Sequence, residues 1–478
     1  MNQIEVLSQD QIATVHGNSL ELLRDLGMQL PHAGVLEALE GAGAQVDHEK
    51  QIARFPEKLV EESVELAGKK YVIYGRDGSK TARFGYGDFV VYSSGGQFAW
   101  VDEDGAERRT PTAEDMELGI FFGDALENIT IVGPLCVPQD VPANARDVYS
   151  AAQLMKGTTK PVHFWVTNGA TLKYVLEIYE AIAGGKNEHR EKPRIAGFIE
   201  PISPLRFPLT GLEIMVGCVE VGLPLCFGPM AQVGATAPSS LAGTFVQENA
   251  EILAGIAIAQ ALQPGTPVCY GGIPHLMDMR AAMISFGSPE QALMAVAMTQ
   301  MAKHYGLPVY INVGIGDSKR VDVQAGLERG MTLLAGAFAG ADTFGHMGIS
   351  GADQGASIEQ LIVDNEMINY VKRILQGFDF DEDALAMQVI KSVGIGGQYI
   401  GEAHTYERFR RDFWYPDGFD RRGYQEWRDD GAKSMLDWAK QRKNQIIDDH
   451  EREPLDADLA RELDRIVATA FKEVPELA

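Results

Sequence analysis

Five apolar segments in the middle of the chain each begin with proline and end in glycine or polar residues. These segments are residues 161–169, 193–200, 224–230, 267–272 and 308–314. Their leading prolines lie 32, 31, 43 and 41 residues apart, which is the length of one strand, one loop and one crossover helix. Segments that are apolar on both faces are typical of a buried parallel sheet. The spacing therefore predicts repeated βα units whose loops meet at one end of the sheet.

Three further segments, at residues 89–93, 129–133 and 341–347, bring the predicted strands to eight. Apolar stretches between the strands predict helices at residues 113–128, 172–183, 207–221, 240–262, 288–305 and 325–339. We therefore predict an α/β fold, a (β/α)8 TIM barrel. We expect an N-terminal helical cap over residues 1–85, the barrel over residues 86–355, and a C-terminal helical extension over residues 356–478 that packs on the barrel.

The charge of the chain excludes several classes of partner. Its 42 basic and 67 acidic residues give a net charge of −25 at pH 7 and an isoelectric point near 4.8. Such a chain repels phosphate backbones and anionic membranes, so we expect neither nucleic-acid nor membrane binding. We find no apolar run of about 18 residues that would span a membrane and no signal segment at the N-terminus. The four cysteines lie in apolar contexts without CxxC pairs, which favours a reducing cytoplasm.

Metal and acid–base chemistry usually leave recognisable spacing in a sequence, and such spacing is absent here. The chain has no HExxH motif, no paired cysteines, and ten scattered histidines. We therefore expect no zinc site and no other dedicated metal site. The predicted strand ends also show no acid pair that would mark a general acid and base.

A polar loop follows the strand at residues 308–314 and contains a lysine, Lys319. Its sequence, residues 314–319, does not match the GxxxxGK[ST] pattern of a phosphate loop. Lys319 would form a Schiff base with a carbonyl substrate if desolvation lowered its pKa. The alternative is an ordinary ion pair of Lys319 with Asp317 or Asp322 in the loop.

Single histidines occupy the predicted strand ends. His346 lies at the end of the last strand, and His275 follows the strand at residues 267–272. Strand ends carry the chemistry of a TIM barrel, which makes both residues candidates for a binding site, with core packing as the alternative. His163 lies earlier in its strand, so core packing is the better interpretation for it.

Aromatic residues cluster near the same end of the predicted barrel. Tyr92, Phe98 and Trp165 are candidates for a cage around a quaternary ammonium, a cation that aromatic faces stabilise without an N–H hydrogen bond. Most of the other aromatic residues are better explained as core. Arg206 or His346 would then bind a carboxylate on the same ligand.

Several motifs occur in a fixed order between about residue 90 and residue 425. They are Tyr92-Ser93-Ser94-Gly95, Asp317-Ser318-Lys319 with residues 322–328, Gly345-His346-Met347-Gly348, and an aromatic, arginine-rich stretch over residues 404–421. Through this ordered set the chain resembles the trimethylamine:corrinoid methyltransferase superfamily. The resemblance covers most of the chain.

The resemblance implies a (β/α)8 barrel that transfers a methyl group from an amine to the cobalt of a corrinoid (cobalamin) carried by a separate protein. One branch of the superfamily uses pyrrolysine, whereas this chain shows only the standard residues and is similar to the non-pyrrolysine branch. Characterised members of that branch demethylate quaternary amines such as glycine betaine. The resemblance assigns no catalytic residue, and it makes Asp317, Ser318 and Lys319 candidates for contact with the corrinoid.

The expected chemistry agrees with the absence of acid–base motifs. A quaternary nitrogen leaves as a neutral tertiary amine and needs no protonating acid, so the enzyme has to bind the cation, exclude water and aim one methyl group. Carnitine, proline betaine and γ-butyrobetaine remain alternatives to glycine betaine. A Schiff-base lyase using Lys319 and a non-catalytic amine sensor are alternatives from other classes. We also expect a homo-oligomer.

Overall fold

A computed structural model describes residues 3–102, 105 and 107–475, and a curled parallel sheet lies at its centre. In spatial order its six strands are Val90–Ser93, Thr343–Met347, Val309–Asn312, Val268–Gly271, Leu225–Phe227 and Gly197–Ile199. The last barrel strand, Thr343–Met347, therefore pairs with the first, Val90–Ser93. The remaining two predicted segments join this sheet through single β-bridges, Tyr92 with Ile131 and Val132 with Val162. The prediction of a (β/α)8 barrel is confirmed.

A helix follows each of the eight barrel segments. These helices are Ala113–Ala125, Arg146–Gly157, Leu172–Ala183, Leu209–Glu220, Leu241–Leu262, Pro289–His304, Val323–Ala339 and Ile358–Gln376. Six of them were predicted with similar bounds, and the helix Arg146–Gly157 was missed. That helix buries Asp147, Ser150 and two alanines beside its larger apolar residues, so its apolar pattern is weak.

Serine and aspartate residues fix the starts of several of these helices. The side chain of Ser240 accepts a hydrogen bond from the Gly243 amide, and Ser288 accepts one from Gln291 in front of Pro289. Asp322 does the same for the helix Val323–Ala339. Such caps satisfy backbone donors that have no partner inside the helix.

The N-terminal region packs on the amino end and one side of the barrel. It contains the helices Gln9–Asp25, Ala33–Gly41 and Glu57–Leu66, the strands Met28–Gln29, Gln45–Asp47 and Ile52–Arg54, and the hairpin Tyr71–Tyr74 with Thr81–Phe84. All three helices pack against Leu241–Leu262, which explains why that helix is buried on every side, including its polar residues Glu248, Asn249 and Glu251. The hairpin places Tyr71, Ile73 and Phe84 in one buried cluster with barrel residues. It therefore closes the amino end of the barrel, and a ligand has to enter from the carboxyl end.

Loops at the carboxyl end form two small sheets of their own. One contains Trp100–Val101, Arg108–Arg109, Ile349–Ser350 and Gly355–Ala356, and the other contains Gln232–Val233, His275–Asp278 and Met283–Ser285. Short helices also occur in these loops at Ala143–Ala145 and Gly169–Thr171, whereas the short helix Lys186–Glu191 connects the helix Leu172–Ala183 to the strand Gly197–Ile199 at the opposite end. These loops surround the mouth of the barrel.

The C-terminal region adds helices on the outside. They are Glu382–Leu385, Met387–Val393, Ala403–Asp412, Tyr424–Asp429, Met435–Asp449 and Ala457–Glu473. Met435–Asp449 packs on Ile358–Gln376, and Ala457–Glu473 packs on Leu172–Ala183 and Arg146–Gly157. The domain boundaries at residues 85 and 355 stay predictions. Within the described residues, no helix has the length and apolar character needed to cross a membrane.

Candidate functional site

A cavity of about 640 Å³ opens at the carboxyl end of the barrel. Residues from the ends of several strands line it, including Trp165, Phe198, Glu200, Asn312 and His346. Loops after the first and eighth strands complete the wall. Because the hairpin closes the opposite end, this cavity is where a TIM barrel is expected to keep its ligand.

Six aromatic rings form the bottom of the cavity, and we call them the aromatic floor. They are Tyr92, His163, Trp165, Phe198, Tyr310 and His346, with ring centroids of neighbouring members 4.8–6.1 Å apart. His163 and Trp165 are two residues apart on one strand segment, so both project to the same side, and their rings are 4.8 Å apart. Trp165, Phe198 and His346 line the cavity, while Tyr92 and Tyr310 lie beneath it.

Two glycines, Gly95 and Gly345, leave the space that rings of the floor occupy. A Cβ atom at Gly95 would lie 3.0 Å from Nε1 of Trp165 and 3.1 Å from Nε2 of His163, which is closer than side chains normally pack. Likewise, a Cβ atom at Gly345 would collide with the hydroxyl of Tyr310. These contacts give a physical reason for glycine in two of the motifs on which the family resemblance depends.

Two imidazole nitrogens of the floor lack hydrogen-bond partners among the described residues, Nε2 of His163 and Nδ1 of His346. Burial lowers the pKa of His346 to about 4, although a hydrogen bond to the backbone of Ser93 opposes this effect. Burial and the neighbouring His346 lower the pKa of His163 as well. Both rings are therefore neutral at pH 7, and each carries a single N–H group. His163 is able to donate it from Nε2, and His346 is able to donate it from Nδ1 in the tautomer that gives up the bond to Ser93.

Two carboxyl groups, those of Glu200 and Asp353, line the cavity above the floor. Burial, and then the charge of Asp353, raise the pKa of Glu200 to about 7. Burial also raises the pKa of Asp353, although a hydrogen bond from the Gln97 amide to Oδ1, at 2.8 Å, opposes this effect. Glu200 is exposed, and the surface to which it is exposed is the cavity that it lines. The expectation of no acid pair at the strand ends is therefore wrong.

A third carboxyl group lines the cavity but is fully engaged in local hydrogen bonds. Asp147 accepts from the Thr171 hydroxyl at 2.5 Å, from the Val148 amide at 2.9 Å and from the Thr167 amide at 3.3 Å. Burial raises its pKa despite these bonds. Asp147 thus fixes the loop after the third strand segment and has little capacity left for a ligand.

The model of the trimethylamine methyltransferase (MTTB) family matches residues 1–475 of the chain. The chain belongs to this family. It is 32% identical to a glycine betaine methyltransferase of Desulfitobacterium hafniense (strain Y51), with 98% of each chain covered. It is 30% identical to the trimethylamine methyltransferase MttB of Methanosarcina barkeri, with 98% of this chain and 96% of the relative covered. The predictions of the family and of a methyltransferase are confirmed.

A solved structure supports the fold. The monomethylamine methyltransferase (MtmB) of Methanosarcina barkeri superposes with a TM-score of 0.51 at 12% sequence identity. The alignment covers 99% of this chain and 88% of that one. At 12% identity the similarity shows that the two proteins share a fold, and it gives no information about ligands.

Four of the predicted binding residues of this MTTB family member lie in the floor or at the cavity. Trp165 and His346 line the cavity, and Tyr92 packs beneath them with its ring 6.1 Å from that of His346. Phe98 lines the rim and is 72% exposed. His163, which the sequence favoured as core, is buried and also belongs to the floor. Whether these residues bind substrate stays a prediction.

Two of the predicted binding residues lie elsewhere. Arg206 is exposed, and its backbone bridges Gln29 of the N-terminal region, so it is outside the cavity lining and cannot hold a carboxylate there. His275 is buried behind the wall, where Nδ1 lies 3.1 Å from Oε1 of Gln291 and the ring packs against Phe286. The sequence placed His275 after a strand and made Arg206 a candidate for the carboxylate, but it did not determine the direction of either side chain.

Residues 317–319 form a structured loop beside the mouth. The carboxylate of Asp317 accepts from the Phe286 amide at 2.7 Å and from the Ser285 hydroxyl, and the Ser318 hydroxyl donates to Asp322 at 2.9 Å. Lys319 is exposed and outside the cavity lining. It therefore lacks the desolvated pocket that a Schiff-base lysine requires, and the lyase alternative loses its support.

In the part of the chain that the structure describes, no group of three or more histidine, cysteine, aspartate or glutamate side chains is arranged to hold a metal ion. The residues that sequence reasoning missed are Glu200 and Asp353. Glu200 is the last residue of a proline-led segment, so its strand-end position was a usable signal. Asp353 comes from a loop after the eighth strand, and only the fold brings it to Glu200.

Proposed function

We propose that this methyltransferase transfers a methyl group from glycine betaine to the Co(I) of a cognate corrinoid protein and releases dimethylglycine. The observation that carries the proposal is the layering of the cavity. Neutral imidazole nitrogens without partners lie at the bottom, aromatic faces lie around them, and a carboxyl pair lies above. A small zwitterion with a carboxylate at one end and a cation at the other matches this layering.

The closed amino end supports one orientation of the substrate. A methyl acceptor carried by another protein has to approach through the mouth, so the methyl groups of the ammonium face the mouth. The carboxylate then points to the floor, where His163 offers the N–H of Nε2 and His346 offers that of Nδ1 in the tautomer that releases the Ser93 backbone. Trp165 and Phe198 border the cation with their rings.

For this reaction the protein has to bind the substrate and orient one of its methyl groups, and it has to do little else. The C–N bond breaks with both electrons going to nitrogen, so dimethylglycine leaves as a neutral tertiary amine without a protonating acid. The partner's corrinoid supplies the nucleophile. The cavity walls hold the ammonium in line and exclude water from the reacting methyl group. This assignment explains why the floor consists of neutral side chains.

The partner is proposed to dock at the mouth. Phe98, 72% exposed at the rim, offers an apolar surface to a flat macrocycle, and the cavity leaves room above a small amine. Exposed Lys319 and the ordered loop of Asp317 and Ser318 flank the mouth and are our candidates for contact with the corrinoid protein. The four cysteines are free and buried, which supports a reaction in the reducing cytoplasm.

Trimethylamine is the second candidate, because the chain is 30% identical to the MttB of Methanosarcina barkeri. An amine without a carboxylate would leave both imidazole nitrogens of the floor unpaired, which costs binding free energy. The cavity therefore favours a carboxylate-bearing amine. Carnitine, proline betaine and γ-butyrobetaine share this property and differ in the distance from the cation to the carboxylate.

The test mixes the full-length protein with free Co(I) cobalamin and one amine at a time, and follows the visible spectrum for methyl-Co(III). The panel contains glycine betaine, carnitine, proline betaine, γ-butyrobetaine and trimethylamine. We expect the fastest conversion with glycine betaine. Conversion with trimethylamine alone would contradict the carboxylate assignment, and no conversion with any amine would contradict methyl transfer itself.

A further inference from the structure

The carboxyl pair above the floor has a geometry that the methyl transfer does not by itself require. Glu200 lies two residues beyond Phe198, so the two side chains project to the same side and the carboxyl is one layer closer to the mouth. Asp353 approaches from the loop after the eighth strand. The Gln97 amide donates both to Asp353 and to the Ser94 hydroxyl, at 2.8 and 3.1 Å, which fixes the position of Asp353.

Other titratable groups around the pair are already engaged or uncharged. Arg146 lines the cavity, but its guanidinium donates to the Val141 carbonyl and to Gln139. The Tyr310 hydroxyl donates to Asn312 at 2.7 Å, and burial raises its pKa. Asp147 is held by the local hydrogen bonds described above, and the two floor histidines are neutral. Burial also keeps the nearby thiol of Cys226 protonated by raising its pKa.

Among the described residues, neither Glu200 nor Asp353 forms a salt bridge with a lysine or arginine. Two carboxyl groups that line one cavity without a cation partner cannot both ionise cheaply, so one proton remains on one of them. A ligand cation in the cavity would offset the repulsion between the two carboxylates, so both could then ionise.

We propose that Glu200 and Asp353 together retain one proton in the free enzyme, and that the quaternary ammonium of the substrate replaces this proton as their counter-ion. The inference rests on the proposed function, because it uses the ammonium at the mouth. Substrate binding then releases a proton from the pair to solvent, and no other bond changes. The pair thereby selects a permanent cation over a neutral molecule of the same shape.

The direction of the pH dependence follows from the pKa. In the free enzyme the pKa of Glu200 is about 7, and the bound cation lowers it. Below pH 7 the cation therefore has to displace the proton, and the affinity rises about tenfold for each pH unit until the free pair ionises. Above about pH 8 the free pair is already ionised, so the affinity becomes independent of pH and no proton is released.

The test is calorimetric titration of the full-length protein with tetramethylammonium and with glycine betaine, in buffers of different ionisation enthalpy. Tetramethylammonium has no carboxylate and does not engage the histidines of the floor. We expect release approaching one proton at pH 6 and none at pH 8.5. Binding of tetramethylammonium without proton release at pH 6, or with proton uptake, would overturn the proposal.

Variants of Glu200 and Asp353 test whether the released proton comes from these two carboxyl groups. Glu200→Gln should abolish the release at pH 6 and weaken binding at pH 8.5 by roughly tenfold, whereas Glu220→Gln, exposed on the following helix, should change neither. Asp353→Asn should reduce the release, and it replaces Glu200→Gln if that variant fails to fold. A release unchanged in the folded carboxyl variant would overturn the assignment.

Experiments can refute the proposed methyl transfer and the proposed proton release independently of each other. Demethylation of glycine betaine without proton release would refute the proton retained by Glu200 and Asp353 and leave methyl transfer intact. Proton release with tetramethylammonium in a protein that methylates no cobalamin would refute methyl transfer and leave the pair intact.

A second, independent observation concerns residues 377–433, which we call the arm. None of its helices, Glu382–Leu385, Met387–Val393, Ala403–Asp412 and Tyr424–Asp429, buries a residue. Thirteen large apolar side chains of the arm are exposed, including Phe378 at 85% and Ile400 at 87%. The Glu366 carboxylate, which accepts from the Asp417 and Gly418 amides, helps to attach the arm to the barrel.

We infer that a second copy of this chain covers the arm. Aromatic side chains bury about 150–250 Å² each, so the exposed aromatic residues of the arm alone approach the roughly 800 Å² per partner of a stable interface. The corrinoid protein has to dock and leave during each turnover, which suits a smaller and more polar surface. An apolar surface of this size is therefore better explained by permanent self-association.

Light scattering after size exclusion tests this inference on the full-length protein. We expect a dimer or larger oligomer at micromolar concentration, and a monomer with an unchanged circular dichroism spectrum for the double variant Phe380→Asp with Ile400→Asp. Leu66→Asp, exposed outside the arm, should remain oligomeric. A monomeric natural chain, or an oligomer that the double variant does not change, would overturn the inference, as would an arm covered only by the corrinoid protein.

Discussion

Replacing Arg329 by methionine should be one of the most destabilising single changes near the site. Arg329 and Asp364 form an ion pair at 2.9 Å whose side chains are 1% and 0% exposed. The guanidinium also donates to the backbone carbonyls of Gly314 and Ile349, and Asp364 accepts from the Gly348 amide at 2.8 Å. The pair therefore joins the ends of the seventh and eighth strands, directly beyond His346.

The expected loss for Arg329→Met is about 3–5 kcal/mol in the free energy of unfolding, because the change leaves Asp364 buried without its partner. The double variant Arg329→Met with Asp364→Leu should recover about 2 kcal/mol of that loss, since no charge is left unpaired. It should not reach the natural stability, because the Gly314 and Ile349 carbonyls lose a donor, at about 1–3 kcal/mol for each buried group.

Urea denaturation followed by tryptophan fluorescence measures these differences. Arg24→Met is the matched control, because its pair with Glu57 is exposed and should contribute less than about 1 kcal/mol. An equal effect of Arg329→Met and Arg24→Met would refute the reasoning from burial. A double variant less stable than Arg329→Met would show that the lost hydrogen bonds, rather than the unpaired charge, dominate.

Four further changes test the site directly. Gly95→Ala should raise the KM for glycine betaine roughly tenfold, because overpacking against Trp165 costs about 1–3 kcal/mol, whereas Gly17→Ala, which meets no atom within 4 Å, should leave methyl-transfer kinetics unchanged. Trp165→Leu should weaken tetramethylammonium binding about threefold to thirtyfold in calorimetry, and full affinity would remove the residue from the cage. His346→Phe should weaken binding of glycine betaine about tenfold while tetramethylammonium binds normally, and an equal loss for both would contradict the carboxylate role. Lys319→Ala should keep kcat with free cobalamin within about twofold, and a borohydride-trapped adduct on Lys319 of the natural chain would restore the lyase alternative.

Local sequence patterns were sufficient for the barrel. Each strand is a short apolar segment next to proline or glycine, and helix starts such as Ser240 and Ser288 carry their own capping signal. The helix Arg146–Gly157 was missed because small and polar residues interrupt its buried face. The positions of the strands were therefore predictable, because each one depends only on residues within its own segment.

The site was only partly predictable. The sequence placed Trp165 and His346 near the mouth, since the fold class determines which end of a strand faces the loops. It erred on Arg206, whose backbone pairs with the distant Gln29, and it found no acid pair because Glu200 and Asp353 are 153 residues apart in the chain. Contacts between distant residues leave no periodic signal in a single sequence.

The sequence by itself determined the βα repeat, the end of the barrel that carries the site, and the family, because these properties depend on patterns within short segments and on their order. Tertiary structure decided which side chains meet: the aromatic floor, the unpartnered nitrogens of His163 and His346, and the carboxyl pair above them. The physical reason is that the electrostatic character of a cavity depends on burial and on neighbours from different strands. A glutamate acquires a pKa of about 7 only when the fold has surrounded it with protein and placed a second carboxyl in the same cavity.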